Sequence, residues 1–291
     1  MSISKSGTRR TVLVTLAVIG GMMAVLAPPK AHARHVDRDR LSVMHLNIAG
    51  GTRHKGQTAI ADRLADSVAD RAPGLPLAVS VNEVCVQQWE RLFSRLQALG
   101  YTGHFGPSNW HEEHTCDQEQ ACRCGPGKPY GNAIFWVGGH AEARTFSIPD
   151  EHQINGAATL EKRNMVCGRA HFPERTWYCS THLQNVDDAR SKDVARLQAD
   201  DIMAIANVLN TEHRAIIMGD FNLHPDDSAM QRWFNGFWLD ADQCRCRATW
   251  HSNKLDYMMV RADRFSFGHD AFITNNVDSD HSLMQGYPVF K

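Results

Sequence analysis

The sequence predicts an α/β domain in which two β-sheets pack together with helices outside. Three observations carry this. Apolar runs of strand length alternate with amphipathic helical stretches in the first half, and paired strands dominate from about residue 130 onward. No internal repeat or low-complexity linker divides the 291 residues, so everything after a short leader fits one large α/β domain.

The elements follow in order. Residues 41–47 form an apolar strand, Gly50 and Gly51 turn the chain, and Ile60, Leu64 and Val68 recur at helical spacing. Residues 75–81 give a second strand, and Val86, Trp89, Leu92, Phe93 and Leu96 mark a second amphipathic helix. A polar loop over 106–128 holds three cysteines. Strands are then expected at 131–137 and 143–148 and in a hairpin that ends at Leu183. Residues 187–209 return to helix, with Val194, Leu197, Ile202, Ile205 and Val208 as its apolar side. The remaining strands are read at 215–218, 255–260, 265–269 and 283–290.

Composition narrows the function classes. With 43% hydrophobic and 22% charged residues, the chain is neither disordered, collagen-like, coiled-coil nor a multi-span membrane protein. The net charge of −1 averages two unlike parts, because the leader carries Lys5, Arg9, Arg10 and Lys30 and no acid. The remainder is therefore acidic and holds no polyanion by bulk charge; nucleic-acid affinity would need a local basic patch or metal ions.

Residues 1–33 read as a secretory signal: a basic start, an uncharged and mostly apolar run from Thr11 to Ala27, and the small-residue pattern Ala31-His32-Ala33 before Arg34. An N-terminal membrane anchor is the competing reading, disfavoured by internal glycines and by the cleavage pattern. Thr8-Arg9-Arg10-Thr11-Val12-Leu13 also looks like a twin-arginine signal. The domain then spans 34–291, secreted or extracellular, with no membrane span left after signal removal.

Export changes how the eight cysteines read, since all lie beyond the leader: Cys85, Cys116, Cys122, Cys124, Cys167, Cys179, Cys244 and Cys246. An even count outside the cytosol implies disulfides. One pairing can be argued. Cys167 and Cys179 sit symmetrically about Pro173-Glu174 in the expected hairpin, and directly opposed strand positions are close enough to bridge. The cluster His111, His114, Cys116, Cys122 and Cys124 has zinc as an alternative, although its spacing is not a common ligand pattern.

The chemistry gathers at strand ends. Met44-His45-Leu46-Asn47, Ser80-Val81-Asn82-Glu83, Ser180-Thr181-His182-Leu183, Met218-Gly219-Asp220-Phe221-Asn222, Lys254-Leu255-Asp256-Tyr257 and Asp278-Ser279-Asp280-His281 each set polar groups at or just beyond an apolar strand. Together they offer carboxylates, amides and imidazoles without a basic cluster, a set suited to a hard divalent cation that keeps waters for a substrate phosphate. Each patch alone also has a structural reading: Asn47 as a turn cap, Glu83 as a helix start, His182 as a hydrogen-bonded core histidine, Asp280-His281 as a solvated pair.

The order of the patches resembles the endonuclease/exonuclease/phosphatase superfamily, which includes deoxyribonuclease I and bacterial neutral sphingomyelinases. Gly219-Asp220-Phe221-Asn222, then Leu255-Asp256-Tyr257, then Ser279-Asp280-His281 carry the likeness, which runs over about 41–290. It implies a four-layer α/β/β/α sandwich with two central mixed β-sheets, and a metal-dependent phosphoric-ester hydrolase. By the same resemblance Asn47 and Glu83 hold the metal, with Asp280 as a further acidic ligand or as a group behind the ligands; the ion is Mg²⁺, with Mn²⁺ or Ca²⁺ as alternatives. Asp220 orients or deprotonates the attacking water, Asn222 donates to a phosphate oxygen, His281 acts at the scissile phosphate with Asp256 steering it, and His182 is a second imidazole near the leaving oxygen.

Two departures narrow the substrate. The segment Thr181-His182-Leu183 lacks the tyrosine of abasic-site repair enzymes, and Lys254-Leu255-Asp256-Tyr257 lacks the cysteine-aspartate-arginine of inositol-polyphosphate phosphatases. A secreted nuclease acting on DNA or RNA comes first, with Arg53, Arg163 and Arg169 expected on flanking phosphates. A phospholipase C acting on a lipid headgroup is the alternative, with Trp233-Phe234-Asn235-Gly236-Phe237-Trp238 as the one aromatic-dense segment that would enter a membrane surface. A secreted binding protein with a degenerate site is the third reading. Oligomeric state has no signal in the sequence.

Overall fold

A computed structural model describes residues 41–71, 74–108, 124–125, 128–139, 142–149 and 162–291. The leader, and with it the signal-peptide reading, lies outside the described residues. So does most of the histidine- and cysteine-bearing loop.

Strand β1 (Val43–Asn47) leads through α1 (Ala59–Ala69) to β2 (Ala78–Cys85), which pairs parallel with β1. A parallel pair needs such a crossover, and α1 supplies it. Helix α2 (Val86–Ala98) follows, then β3 (Thr102–Pro107) and β4 (Tyr130–Trp136). The second sheet starts with β5 (Glu142–Ile148) and the hairpin β6 (Arg163–Ala170) and β7 (Thr176–His182). Helix α3 (Ala189–Glu212) crosses over to β8 (Arg214–Asp220), which lies parallel to β7. Then come α4 (Ser228–Asn235), β9 (Trp238–Asp240), β10 (Asp256–Arg261), β11 (Phe265–Phe267), β12 (Phe272–Thr274), β13 (Leu283–Gly286) and β14 (Pro288–Phe290).

The strands make two six-stranded mixed sheets, ordered β12-β13-β1-β2-β4-β3 and β5-β6-β7-β8-β10-β9, with β11 and β14 as a separate ribbon. Strand alternation sorts the side chains into layers. Met44, Leu46, Val79, Val81, Ala133 and Phe135 meet the apolar faces of α1 and α2. Met165, Cys167, Trp177, Cys179, Ile217 and Met259 face α3 and α4. Between the sheets lie Val43, Ala78, Ile134, Trp136, Val166, Tyr178, Ile216, Met218, Met258 and Val260. The four-layer α/β/β/α sandwich expected from the resemblance is what the chain forms.

That inner layer changes character along every strand. Two or four residues on from its apolar members, on the same face, stand His45 and Asn47 of β1, Ser80 and Asn82 of β2, Asn132 of β4, Asn164 of β6, Ser180 and His182 of β7, Asp220 of β8 and Asp256 of β10, all buried. The antiparallel strands contribute their first residues and the parallel ones their last, so the polar groups share one end of the sandwich.

Several elements differ from expectation. Strand β3 begins inside a stretch left unassigned and runs into the expected loop, because Thr-Gly-His-Phe-Gly-Pro has no apolar alternation and forms a mostly half-buried edge strand. Helix α4 and strands β9 and β12 are short and have no sequence signal strong enough to read. The expected strand over 283–290 is two strands in different sheets, broken at Tyr287.

Cys167 and Cys179 are directly paired across β6 and β7, with Cα atoms 4.1 Å apart and a disulfide between them, as the hairpin argument requires. Cys85–Cys124 and Cys244–Cys246 are also bridged. Cys124 is thus a disulfide partner rather than a zinc ligand; the other members of the proposed zinc cluster lie outside the described residues.

Candidate active site

At the polar end of the inner layer the backbone is shaped to gather side chains that strand geometry would separate. Asn82 and Glu83 are neighbours in β2, so in a regular strand they would point to opposite faces. Here the register with β4 shifts between Val81 and Val84, and Glu83 takes a φ of 55°. This bulge turns both toward the site: Asn82 Oδ1 accepts from the Asp220 amide (2.9 Å), and Glu83 Oε1 accepts from Asn47 Nδ2 (3.1 Å). Gly50 admits the bulge, since a Cβ there would stand 2.4 Å from the Glu83 carbonyl oxygen. The end of β8 repeats the device. Asn222 has a φ of 50°, its amide donates to Asp220 Oδ1 (2.9 Å), and Phe221 between them is buried in the helix-side core. Non-glycine residues in this region are uncommon and concentrate at functional sites.

Asp220 is the hub. Its Oδ2 accepts from Asn47 Nδ2 (3.1 Å) and stands 3.6 Å from His182 Nε2 and 3.7 Å from His281 Nε2. His281 Nδ1 donates to Asp256 Oδ2 (2.8 Å), and Asp256 Oδ1 accepts from His45 Nε2 (3.0 Å). Asn222 Nδ2 donates to His182 Nε2 and to the Leu183 carbonyl, both at 3.1 Å.

Over residues 44–281 the sequence matches the profile of the Endonuclease/Exonuclease/phosphatase family. The chain belongs to that family. It is accordingly a hydrolase of phosphoester bonds, in a family typically dependent on a divalent metal. Solved structures agree in fold. A Beutenbergia cavernae endonuclease/exonuclease/phosphatase superposes with a TM-score of 0.68 at 18% identity, covering 86% of this chain and 71% of that one. The human nocturnin catalytic domain with bound sulfate gives 0.66 at 17%, covering 86% and 94%. Truncated Caenorhabditis elegans TDP2 gives 0.58 at 15%, covering 86% and 97%. No curated protein sequence matches the chain.

Burial and mutual charge set the protonation of this endonuclease/exonuclease/phosphatase centre. Asp220 is pushed up to about 7, first by burial and then by the Asp256 carboxylate, against the pull of His281 and of hydrogen bonds from Asn222 and Asn47. Burial opposes a charged His281, yet the charge and hydrogen bond of Asp256, helped by Asp220 and Asp280, raise it to about 10. Asp256 is held well below the usual carboxylate range despite its burial, by His281 and then His45. The pattern is a poised base beside a stable imidazolium.

A cation has a place here. Glu83 Oε2 is buried without a hydrogen-bond partner, and an orphaned carboxylate oxygen is what a metal ligand looks like before its ion is counted. Asn47 Oδ1 accepts only the Ala49 amide among its hydrogen bonds and keeps a second lone pair. One carboxylate and one amide oxygen suit Mg²⁺, which retains several waters. Asp220, Asp256 and His281 also bring ligand atoms within 4.8 Å of one another. Both Asp256 oxygens already accept imidazole N–H groups, however, and a cationic His281 has no lone pair on Nε2, so the ligand atom that trio leaves open is Asp220 Oδ2, which keeps a lone pair beside the bond it accepts from Asn47.

Three expectations need correction. Asp280 is exposed and does not join Asn47 and Glu83 as a ligand; of its two expected roles the supporting one is left, since its charge helps to raise His281. Asn222 commits both amide protons to His182 and Leu183, so it orients His182 instead of presenting a donor to phosphate. The same bond makes His182 Nε2 an acceptor. Arg163 and Arg169 lie on the face of β6 that carries Met165 and Cys167, opposite to Asn164 and the site. Arg163 is buried, and Arg169 bonds His213 and Glu142 and stacks on Trp177. Arg53 stays at the rim, paired with Asp278, which Arg63 also binds.

The aromatic segment is core. Trp233 and Trp238 are buried and in edge contact at 4.8 Å, Phe234 lies under Arg245 at 3.7 Å, and Phe237 alone projects, 70% exposed.

Sequence reasoning assigned no role to His45, Ser80, Asn82, Asn132, Asn164 or Ser180, which link the sheets beneath the site. Asn82 donates to Asn132 (2.9 Å) and Ser180 (3.1 Å), and Asn132 to Asn164 (3.0 Å). Their signal was available: each lies two or four residues from an apolar inner-face position, where a polar residue is out of place unless bonded.

Proposed function

We propose that this protein is an exported nuclease that hydrolyses phosphodiester bonds of DNA or RNA by direct attack of water. The observation that carries the choice between polymer and lipid is the fate of the aromatic segment: Trp233 and Trp238 are packed in the core against α3, so the one aromatic-dense stretch of the sequence is not available to enter a lipid surface. No helix among the described residues is long and apolar enough to cross a membrane. Trp250, whose ring lies 6.3 Å from the His281 imidazole, gives the mouth a stacking face suited to a nucleobase. Export is supported by the three disulfides of the described residues, which are characteristic of oxidising compartments.

In this reading Asp220, titrating near 7, takes the proton of the attacking water, and His281, kept cationic by Asp256, faces the phosphate with Nε2. His182, held by Asn222, is the second imidazole at the same oxygen of Asp220. Glu83 and Asn47 would hold the Mg²⁺, Mn²⁺ or Ca²⁺ ion, which when bound neutralises charge developing on the phosphate. No covalent intermediate is required.

The test sets plasmid DNA and RNA beside sphingomyelin and phosphatidylcholine vesicles, with Mg²⁺, Mn²⁺ or EDTA. EDTA-sensitive cleavage of nucleic acid with intact vesicles is expected. Cleavage of lipid alone would make the protein a phospholipase C. Inactivity on all of these with release of phosphate from a sugar phosphate would move it to the phosphomonoesters, the class named for a Bacteroides thetaiotaomicron mannosyl-6-phosphatase of the same fold.

A further inference from the structure

His45 is fully buried and stands behind the site rather than in it. Its Nε2 meets Asp256 Oδ1 at 3.0 Å and its Nδ1 meets Ser80 Oγ at 2.9 Å. An ionised carboxylate only accepts, so His45 carries its proton on Nε2 toward Asp256. Asp256 thus receives one imidazole N–H on each oxygen, His45 on Oδ1 and His281 on Oδ2.

We propose that His45 is a positioning residue for the hydrolytic reaction, acting through Asp256 to fix His281. The backbone of Asp256 is held elsewhere: its amide donates to Thr249 Oγ1 (2.9 Å), and Lys254 Nζ donates to its carbonyl. Its carboxylate, by contrast, is oriented by the two imidazoles alone among its hydrogen bonds, and the torsion that turns a carboxylate is intrinsically soft. With Oδ1 held by His45, Oδ2 has one direction left, toward His281 Nδ1. That contact sets the tautomer of His281 and the place of its Nε2, 3.7 Å from Asp220 Oδ2.

The device also ties the two sheets at the point of chemistry. His45 is on β1 of the first sheet and Asp256 on β10 of the second. From His45 the network continues through Ser80 Oγ to Ser180 Oγ, 2.8 Å away; Ser180 Oγ accepts from Asn82 Nδ2, and Asn82 Oδ1 accepts from the Asp220 amide. The supports of Asp256 and of Asp220 are therefore one connected network, and a shift between the sheets would move base and imidazolium together.

This inference rests on the reading of His281 as the group at the phosphate, and the experiment separates the two. Turnover of bis(p-nitrophenyl) phosphate with Mn²⁺ is measured for wild type, His45→Leu, His45→Gln, Asp256→Asn and the double variant His45→Leu/Asp256→Asn. His45→Leu is expected to lower kcat by about 10- to 100-fold with KM within about 2-fold, as misplacement of a reacting group does. His45→Gln, which keeps an N–H for Asp256, recovers most of that loss. The double variant is no slower than Asp256→Asn, because His45 acts only through Asp256. Losses that multiply, or a Gln variant as slow as Leu, would overturn the proposal in favour of a general packing role. If His45→Leu does not fold, Ser80→Ala, which frees the ring at Nδ1, is expected to show a smaller loss with the same non-additivity; multiplying losses there count equally against it. The low-field N–H proton of His281 Nδ1 is read by NMR in the same proteins. If wild type turns over no phosphoester, the hydrolytic assignment falls, and this signal still decides the coupling: displaced by His45→Leu and restored by Gln, or unmoved and the coupling refuted.

Discussion

Asp220 makes the folded protein a proton binder, and the consequence for stability is measurable. In the unfolded chain it titrates near 3.8, in the folded one near 7. Between about pH 4 and about pH 7 the folded state thus holds a proton that the unfolded state has released, and stability falls as pH rises through that window. The fall is about 4 kcal/mol over the whole window, at 1.36 kcal/mol per pH unit of difference. Asp256 works the other way: its depressed titration gives stability that is present above about 3.8 and lost only as the solution becomes strongly acidic. His281, raised from 6.5 to about 10, contributes stability that is full below 6.5 and lost as pH rises through 10. Urea unfolding in EDTA at about pH 5 and about pH 8 isolates the Asp220 contribution by comparing wild type with Asp220→Asn. Wild type is expected to lose about 3 kcal/mol more than the variant over that interval. Mg²⁺ should flatten the difference, since a cation beside Glu83 and Asn47 supplies the positive charge the proton supplied. Parallel profiles for the two proteins in EDTA would refute the assignment of a buried, proton-holding Asp220.

Three further outcomes are expected. Glu83→Gln removes the orphaned carboxylate oxygen and should raise the Mg²⁺ concentration for half-maximal turnover by about 10- to 100-fold, read by metal titration of activity with Tm as control; an unchanged requirement would place the ion elsewhere. Gly219→Ala puts a Cβ 2.0 Å from the Thr181 carbonyl oxygen on the paired strand, so β7 and β8 must part and unfolding free energy should drop by about 2 kcal/mol or more. Cys167→Ser/Cys179→Ser opens the bridge under the second sheet and should cost about 2 to 5 kcal/mol in urea unfolding while leaving peptide maps of Cys85–Cys124 unchanged.

What the sequence made readable depended on how local each signal was. Strand β10 and the extent of helix α3 were legible because their apolar patterns persist long enough to set a period. The buried face of α3 runs through Val194, Ala195, Ala199, Ile202, Ala206 and Leu209; Leu197 and Val208, expected on its apolar side, are exposed because small alanines rather than large side chains pack against the sheet. The Cys167–Cys179 bridge was legible because a hairpin turns two sequence distances into one register. Strand β3 was not, since an edge strand with two glycines and a half-exposed surface carries no hydrophobic alternation. Asp220, Asp256 and His281 were found through the order of their patches; whether their atoms meet depends on sheet-to-sheet packing, which no local pattern encodes. Arg163 and Arg169 show the converse error. They precede the site in sequence and are basic, but an odd position on β6 is committed to the helix side as soon as Met165 and Cys167 are.

That parity rule, applied to the whole inner layer, says why the centre sits where it does. Burying a polar side chain without a partner costs a few kcal/mol. The sequence nevertheless places amides, hydroxyls, imidazoles and carboxylates on the same face as Val43, Ala78, Tyr178 and Met258. Such a run is tolerable only if the groups satisfy one another, and they do so across the sheets, His45 with Asp256, Ser80 with Ser180, Asn82 with the Asp220 amide. A network of this kind is satisfied in one relative placement of the two sheets and not in its neighbours. The apolar end of the layer supplies most of the cohesion but tolerates sliding; the polar end does not. The buried groups under the site therefore act on the reaction by fixing the distance between Asp220 at the end of β8 and His281, which Asp256 holds from the start of β10. Conservative changes at Asn82 or Ser180, neither of which faces the cleft, are expected to be felt first in kcat.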